Sequence, residues 1–289
     1  MKVSDRVIGE IAFARKKDNI PFNEDDLKIA TNLSDFAAII IQYVISVKET
    51  IEHNNLLMES YIATHIQDML HPTKLPVIKG LQFGTLWNPV DGVCGDFYDI
   101  LVSRKDRISF IIGDVAGKGI NNVLVMSMLR AMLRLVVNTK QSAGKILEWV
   151  NHGIAGESFT TDHFASCALI NYDPTKNQLE LSTGGTTPIY YYNSKSNMIE
   201  KLSKSSEPIG VDKTSIYKDI FQEIKSGDII FTYTDGLVET LNENGQQYSK
   251  ESILKLVISN HSASAKDIAN AIKADIKAFA GNMPVHDDQ

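Results

Sequence analysis

Apolar and polar positions alternate in part over residues 7–15, which places Val7, Ile11 and Phe13 on one face of a predicted strand. A polar turn at Lys16–Asn19 follows. Asn23 then reads as a helix N-cap, with Glu24, Asp25 and Asp26 complementing the positive end of the helix dipole. No Pro or Gly interrupts the pattern from there until Pro72, so the helix runs far past residue 40. Within it the apolar spacing settles into steps of four and three: Val44, Ile51, Met58 and His65 form one heptad series, Ile40, Val47, Asn54 and Tyr61 the other. Such a seam predicts a coiled coil, and β-branched residues in the first series favour a parallel dimer. The same spacing also fits an amphipathic helix lying on its own domain. One strand and one helix cannot enclose a core, so this opening reads as the tail of a domain, and the helix after it, over 46–72, as a dimeric linker of the signalling type.

Beyond His71-Pro72 and Leu75-Pro76 the period changes. Short strands broken by Gly and Asp are expected at Leu81–Trp87, Phe97–Val102 and Ile108–Val115. Helices follow at about Ile120–Val137 and Ser142–Glu157. Strands resume at Phe164–Asn171, Gln178–Ser182, Ile189–Asn193 and Asp228–Tyr233, before helices at about Lys250–Asn260 and Ala265–Ala280. Strands and helices come in blocks rather than strict alternation, which predicts an α+β fold.

Composition narrows the functional classes. With 29 Lys and Arg against 35 Asp and Glu, the net charge of −6 argues against phosphate-backbone binding, so no nucleic acid is expected. Two cysteines, Cys94 and Cys167, form no disulfide framework and fit a reducing, cytoplasmic setting. The apolar stretch Phe36–Val47 falls short of the roughly 20 residues a spanning helix needs, so no membrane is expected.

Four acidic spots share one character, an Asp beside Gly or a second Asp: Gly95-Asp96-Phe97-Tyr98-Asp99, Gly113-Asp114 through Gly119, Thr234-Asp235-Gly236 and Asp287-Asp288. Asp114 and Asp235 each follow an apolar run and would stand at the tip of a buried strand. Carboxylates converging there would raise one another's pKa; divalent cations remove the conflict, and an all-oxygen shell suits Mg²⁺ or Mn²⁺ over Zn²⁺. Singly, each spot also reads as a turn. Other chemistries fit poorly. Gly113–Gly119 is one residue too short for a phosphate-binding loop and lacks its Ser/Thr. No His-Glu-x-x-His pair occurs among the seven His, and there is no Gly-x-Ser-x-Gly elbow. Cys94 and the Met126, Met128, Met132 group read as packing residues.

In order, these motifs resemble the metal-dependent, phosphatase 2C-like protein phosphatases, in the bacterial branch of the stage II sporulation protein E phosphatase and the sigma-factor regulators. Phe164-Ala-Ser-Cys-Ala168, Pro208-Ile-Gly210 and Tyr233 through Glu239 also match, and the likeness covers about residues 66–289. Residues 1–45 resemble the end of a GAF domain. The resemblance implies an α-β-β-α sandwich preceded by a long helix, with the phosphatase domain over 73–289 and its last strand truncated, leaving Asp287 tethered on one side. It implies two Mn²⁺ or Mg²⁺ ions held by Asp96, Asp114, the Val115 carbonyl, Asp235 and Asp287. Asp114, Asp96 and Lys118 would serve catalysis, although a solvated Lys at a helix start reads equally well for Lys118. The implied activity is hydrolysis of phosphoserine or phosphothreonine on a phosphoprotein, by analogy a STAS-type anti-sigma-factor antagonist, by a homodimer joined through the linker helix. The competing expectation is a regulatory module that keeps the fold without turnover. The chain departs from the family at Gly184-Gly185-Thr186-Thr187-Pro188, where Gly-His and then Pro is usual, at Asn121-Asn122, and at Cys94.

Overall fold

A computed structural model describes residues 1–3, 6–14, 21–90, 94–117, 120–156, 164–285 and 287–289. The expected turn at Lys16–Asn19, Lys118 and Glu157 lie outside them. The chain divides into two compact units, Met1–Glu59 and Ser60–Gln289.

In the first unit, β1 (Lys2–Val3) and β2 (Arg6–Val7) form a two-stranded antiparallel pair. The strand expected over 7–15 does not continue past Val7. Ile11 and Phe13 stay exposed, and without a partner strand or a buried face alternation alone does not hold a strand. The helix α1 (Glu24–Leu70) starts as expected: Asn23 Oδ1 accepts from the Asp26 amide at 2.8 Å, and Asp26 Oδ2 accepts from the Asn23 amide at 2.9 Å. Over this unit the heptad residues Ile40, Val44, Val47, Ile51 and Met58 are all exposed. An 18-residue window of α1 has a mean hydropathy of 1.4, which by length and composition alone would pass for a membrane span, contrary to the reading from Phe36–Val47.

The second unit begins with the last turns of α1. Ala63, Ile66 and Leu70 join its core while Tyr61 and His65 face out, so the docking face differs from the heptad seam. Then come β3 (Asp96–Arg104), β4 (Arg107–Val115), α2 (Ile120–Val136), α3 (Ala143–Ile154), β5 (Ala165–Asp173), β6 (Gln178–Gly184), β7 (Ile189–Asn193), β8 (Met198–Lys201), β9 (Ile220–Glu223), β10 (Ile229–Thr232), α4 (Gly236–Glu239), α5 (Lys250–Ser259) and α6 (Ala265–Ala280). A five-stranded sheet runs β3-β4-β5-β6-β9 and a three-stranded one β10-β7-β8, with antiparallel pairing throughout.

Four layers follow from how these faces are buried. Ile111, Cys167 and Leu169 pack against Met126, Leu129, Ile146 and Leu147 of α2 and α3. Ile108, Ile170, Leu181 and Ile189 with Ile230 fill the space between the sheets. Tyr192, Val257 and Ile268 join the three-stranded sheet to α5 and α6. This is the expected α-β-β-α sandwich. Ser142, Ser249 and Ser264 cap α3, α5 and α6 by accepting from the amide three residues on.

The strand expected at Leu81–Trp87 is not formed. That segment packs on the start of α6 instead: Gln82 accepts the Ala265 amide at 3.3 Å, and a Cβ on Gly84 would stand 1.9 Å from the Ala265 carbonyl. β8, β9 and the single turn α4 were not anticipated; all are four residues long, too short for a period to register.

Candidate active site

The site is built on one cross-strand row. Asp96, the first residue of β3, pairs in register with Asp114, the penultimate residue of β4, and Asp114 pairs with Ser166 of β5. Residues directly opposite in a ladder share a face, so the two carboxylates are held side by side by the strands themselves. Asp96 is buried and its Oδ2 accepts from the Thr234 hydroxyl at 2.6 Å. Beside the row, the Val115 amide donates to the Gly95 carbonyl at 3.2 Å. A Cβ on Gly95 would lie 2.4 Å from the Val115 carbonyl and 3.2 Å from Asp114 Oδ1. Glycine there leaves the Val115 carbonyl and the Asp114 carboxylate unobstructed.

Asp235 and Asp287 arrive from a different direction. Asp235 precedes the one-turn helix α4; its carbonyl accepts from the Val238 and Glu239 amides at 2.8 and 3.0 Å while its carboxylate caps nothing. The following Gly236 explains the Asp-Gly pair, because a Cβ would stand 2.0 Å from the Asp288 carbonyl. The C-terminal segment therefore lies directly on this turn and brings Asp287 to Asp235.

Sequence reasoning expected Asp287 to be tethered on one side only. It is in fact followed by firm anchors. Buried Asp288 accepts from the Val90 amide at 2.9 Å and the Gly95 amide at 3.1 Å. Gln289 exchanges backbone hydrogen bonds with Asn88 at 2.8 and 3.1 Å, and its side chain donates to Thr240 at 2.6 Å. The reading had singled out Asp287 and left Asp288, Thr234 and Gly236 without roles; adjacency to motif residues was their only signal.

Burial and mutual repulsion dominate the electrostatics. Asp114 is pushed up to about 7, first by burial and then by Asp235 and Asp287. Asp96 rises well above the usual carboxylate range by burial and by the Asp114 charge, against the Thr234 hydrogen bond. Asp235 is raised by burial and Asp287, and Glu239 by burial and Asp235. The Cys94 thiol is also pushed up by burial and then by Asp288, so it is no nucleophile, as expected.

The donor set fits divalent cations: four carboxylates and one backbone carbonyl, all oxygen, with Asp96, Asp114 and Asp235 raised by burial and by neighbouring negative charge. No group of three or more Asp, Glu, His or Cys side chains among the described residues is already closed on one ion position. Asp96 and Asp114 are held together by the β3–β4 register, and Asp287 lies near enough to Asp235 and Asp114 to raise both. A cavity of about 280 Å³ opens beside Asp114 and Asp235.

Residues 104–289 match the family model described as stage II sporulation protein E (SpoIIE). The chain belongs to this family. A relative is the phosphoserine phosphatase RsbU of Bacillus subtilis (strain 168), 28% identical over 230 residues that cover 80% of this chain and 68% of that protein. Among solved structures, the SiaA-PP2C domain of Pseudomonas aeruginosa superposes with a TM-score of 0.66 at 21% identity, covering 83% of this chain and 95% of that one. The phosphatase domain of SpoIIE from Bacillus subtilis with a fragment of its regulatory domain gives a TM-score of 0.58 at 12% identity, covering 92% and 96%. The phosphatase 2C-like fold of this SpoIIE-family chain is thereby established.

Proposed function

We propose that this SpoIIE-family protein is a metal-dependent protein serine/threonine phosphatase. The observation that carries the reading is the convergence of Asp96, Asp114, Asp235 and Asp287, from four separate segments, on a patch where burial and neighbouring charge raise the Asp96, Asp114 and Asp235 carboxyls. Cations are the groups that let such a set coexist. Two Mn²⁺ or Mg²⁺ ions are assigned to Asp96, Asp114, the Val115 carbonyl, Asp235 and Asp287. When bound, such ions lower the pKa of a water and neutralise phosphoryl oxygens, so no protein nucleophile is needed.

The chain's own residues do the positioning. Thr234 fixes the Asp96 carboxylate, the β3–β4 register fixes Asp96 against Asp114, and Asp288 holds Gly95 beside the Val115 carbonyl. The proposed substrate is a phosphorylated regulatory protein of the STAS anti-sigma-factor-antagonist kind; the RsbU relative supports a phosphoserine substrate. Residues 1–45 are assigned to a sensory remnant, 46–72 to the linker and 73–289 to the phosphatase domain, in a cytoplasmic homodimer joined through α1. The exposed seam of Ile40, Val44, Val47 and Ile51 supports the dimer. Light scattering of Val47→Glu tests it: a dimer falling to monomer supports the linker role, and an equal mass for both chains overturns it.

The second reading, a signalling module without turnover, has one observation in its favour, the absence of a closed ion cage among the described residues. Hydrolysis of a phosphoserine peptide with and without Mn²⁺ separates the two. Metal-dependent turnover that disappears in Asp114→Asn, with the fold retained by circular dichroism, supports the enzyme. No turnover at any Mn²⁺ concentration overturns it.

A further inference from the structure

The cavity beside Asp114 and Asp235 is larger than a phosphoryl group requires, and its lining is not acidic alone. Lys201 and Lys250 line it, together with Tyr190, Tyr233 and the Thr186-Thr187-Pro188 segment. At about 280 Å³ it is smaller than the roughly 300–1,000 Å³ of sites for drug-sized molecules. It suits one or two residues of an extended chain.

Each wall is placed by the fold. Lys201, the last residue of β8, pairs in register with Tyr190 of β7, so the ammonium stem and the ring share one face of the three-stranded sheet. Tyr190 stacks on Tyr233 at 6.1 Å with the rings 10° apart, so the aromatic side of the cavity runs toward Asp235, two residues on from Tyr233. Gly185, at φ 87°, turns the chain into Thr186; a Cβ there would stand 2.4 Å from Ser166 Oγ. This close approach sets the threonine wall against the end of the Asp96–Asp114–Ser166 row.

The lining carries both signs of charge. Asp114 and Asp235 are on it, and so are Lys201, which has no ion pair among the described residues, and Lys250, whose neighbour Glu251 stands 3.8 Å away at the surface. Metal ions on the two aspartates would offset their charge and leave the lysines as positive charge facing an occupant.

We propose that this cavity is a substrate-reading subsite, in which Lys201 and Lys250 bind an acidic side chain within two residues of the phosphorylated serine or threonine, against the Tyr190–Tyr233 pair. The proposal rests on the phosphatase reading and deepens it: the substrate segment is an acidic peptide, and its flanking charge is recognised apart from its phosphate. Both lysines are exposed at the rim, so the selectivity expected is modest and falls with added salt.

The test uses the full chain with Mn²⁺ and two phosphoserine peptides that differ only in Glu or Gln at the two flanking positions. Both kcat/KM and, by fluorescence anisotropy, Kd are measured. The wild-type chain is expected to favour the Glu peptide by roughly five- to tenfold in both quantities. In Lys201→Gln with Lys250→Gln that ratio falls to about one, Lys201→Arg with Lys250→Arg restores it, and Lys201→Glu inverts it. A ratio of one in the wild-type chain overturns the subsite while leaving the phosphatase reading intact. So does an equal loss for both peptides in the double Gln variant, which would assign the lysines to the phosphoryl group. Selective binding of the Glu peptide without hydrolysis of either supports the subsite and overturns the phosphatase reading instead.

Discussion

The two halves of the proposed metal site are built to different standards of rigidity. Asp96 and Asp114 sit in register on adjacent strands, flanked by buried core, with Thr234 and Gly95 fixing their surroundings. Asp235 and Asp287 stand outside the sheet, one ahead of a single helical turn and one on the C-terminal segment, and the Asp287 charge helps raise the Asp235 carboxyl. The β3–β4 half is thus a template set by strand register, and the Asp235–Asp287 half, anchored through Asp288 and Gln289, closes the site beside it.

The sharpest way to break this comparison is at the template. Asp114→Asn removes the carboxylate facing all the others, and turnover of a phosphoserine peptide is expected to fall to the metal-free background. Because the lost charge was opposed by Asp235, Asp287 and Asp288, the melting temperature of the metal-free variant should equal or exceed that of the parent. A variant that melts well below the parent would make Asp114 a structural residue and remove the template argument.

The closing half predicts a different signature. Asp235→Asn keeps the turn, since its carbonyl rather than its carboxylate takes the hydrogen bonds. Metal affinity, read from the Mn²⁺ dependence of turnover, is expected to weaken by about 10–100-fold with stability unchanged. Asp288→Ala should do the reverse. It leaves the buried Val90 and Gly95 amides without their acceptor, at a cost of about 1–3 kcal/mol each, so denaturant titration should register the loss before metal affinity does. If Asp288→Ala weakened Mn²⁺ affinity with full stability, the anchor and the ligand would have to exchange roles.

How much of this was legible in the sequence follows the same division. Asp114 could be found because it ends an unbroken apolar run, Phe110-Ile-Ile-Gly, that only a buried strand explains; the helices Ala265–Ala280 and Glu24–Leu70 carried caps and period enough to be bounded closely. Asp96 and Asp235 carried only a neighbouring Gly, which a plain turn would also carry, so ordered resemblance was needed to join them. Asp288 and Thr234 act through contacts some 140 to 190 residues distant in the chain, |i−j| of 193 to Gly95 and 138 to Asp96, and no local period encodes such a partner. The failed strand at Leu81–Trp87 has the same cause: its pattern was right for burial, but its partner was the start of α6 and not a sheet edge.

The smallest expected effect separates mutual repulsion from mere burial as the cause of the raised carboxyls. In the metal-free protein Asp114 titrates near 7, against 3.8 for an unperturbed Asp, so between those values the folded state holds a proton that the unfolded chain has released. Stability from this group is therefore full below about 3.8 and is lost as pH rises through about 7. The metal-free melting temperature should fall by a few degrees from about pH 5 to about pH 8, with roughly 2–4 °C per kcal/mol for a chain of this size. Saturating Mn²⁺ should cancel the slope, because the cation replaces the proton as the group that satisfies Asp114. In Asp235→Asn the metal-free slope should shrink but persist, since burial, the largest cause of the shift, is untouched while one opposing charge is gone. An unchanged slope in that variant would mean the two halves do not feel each other's charge.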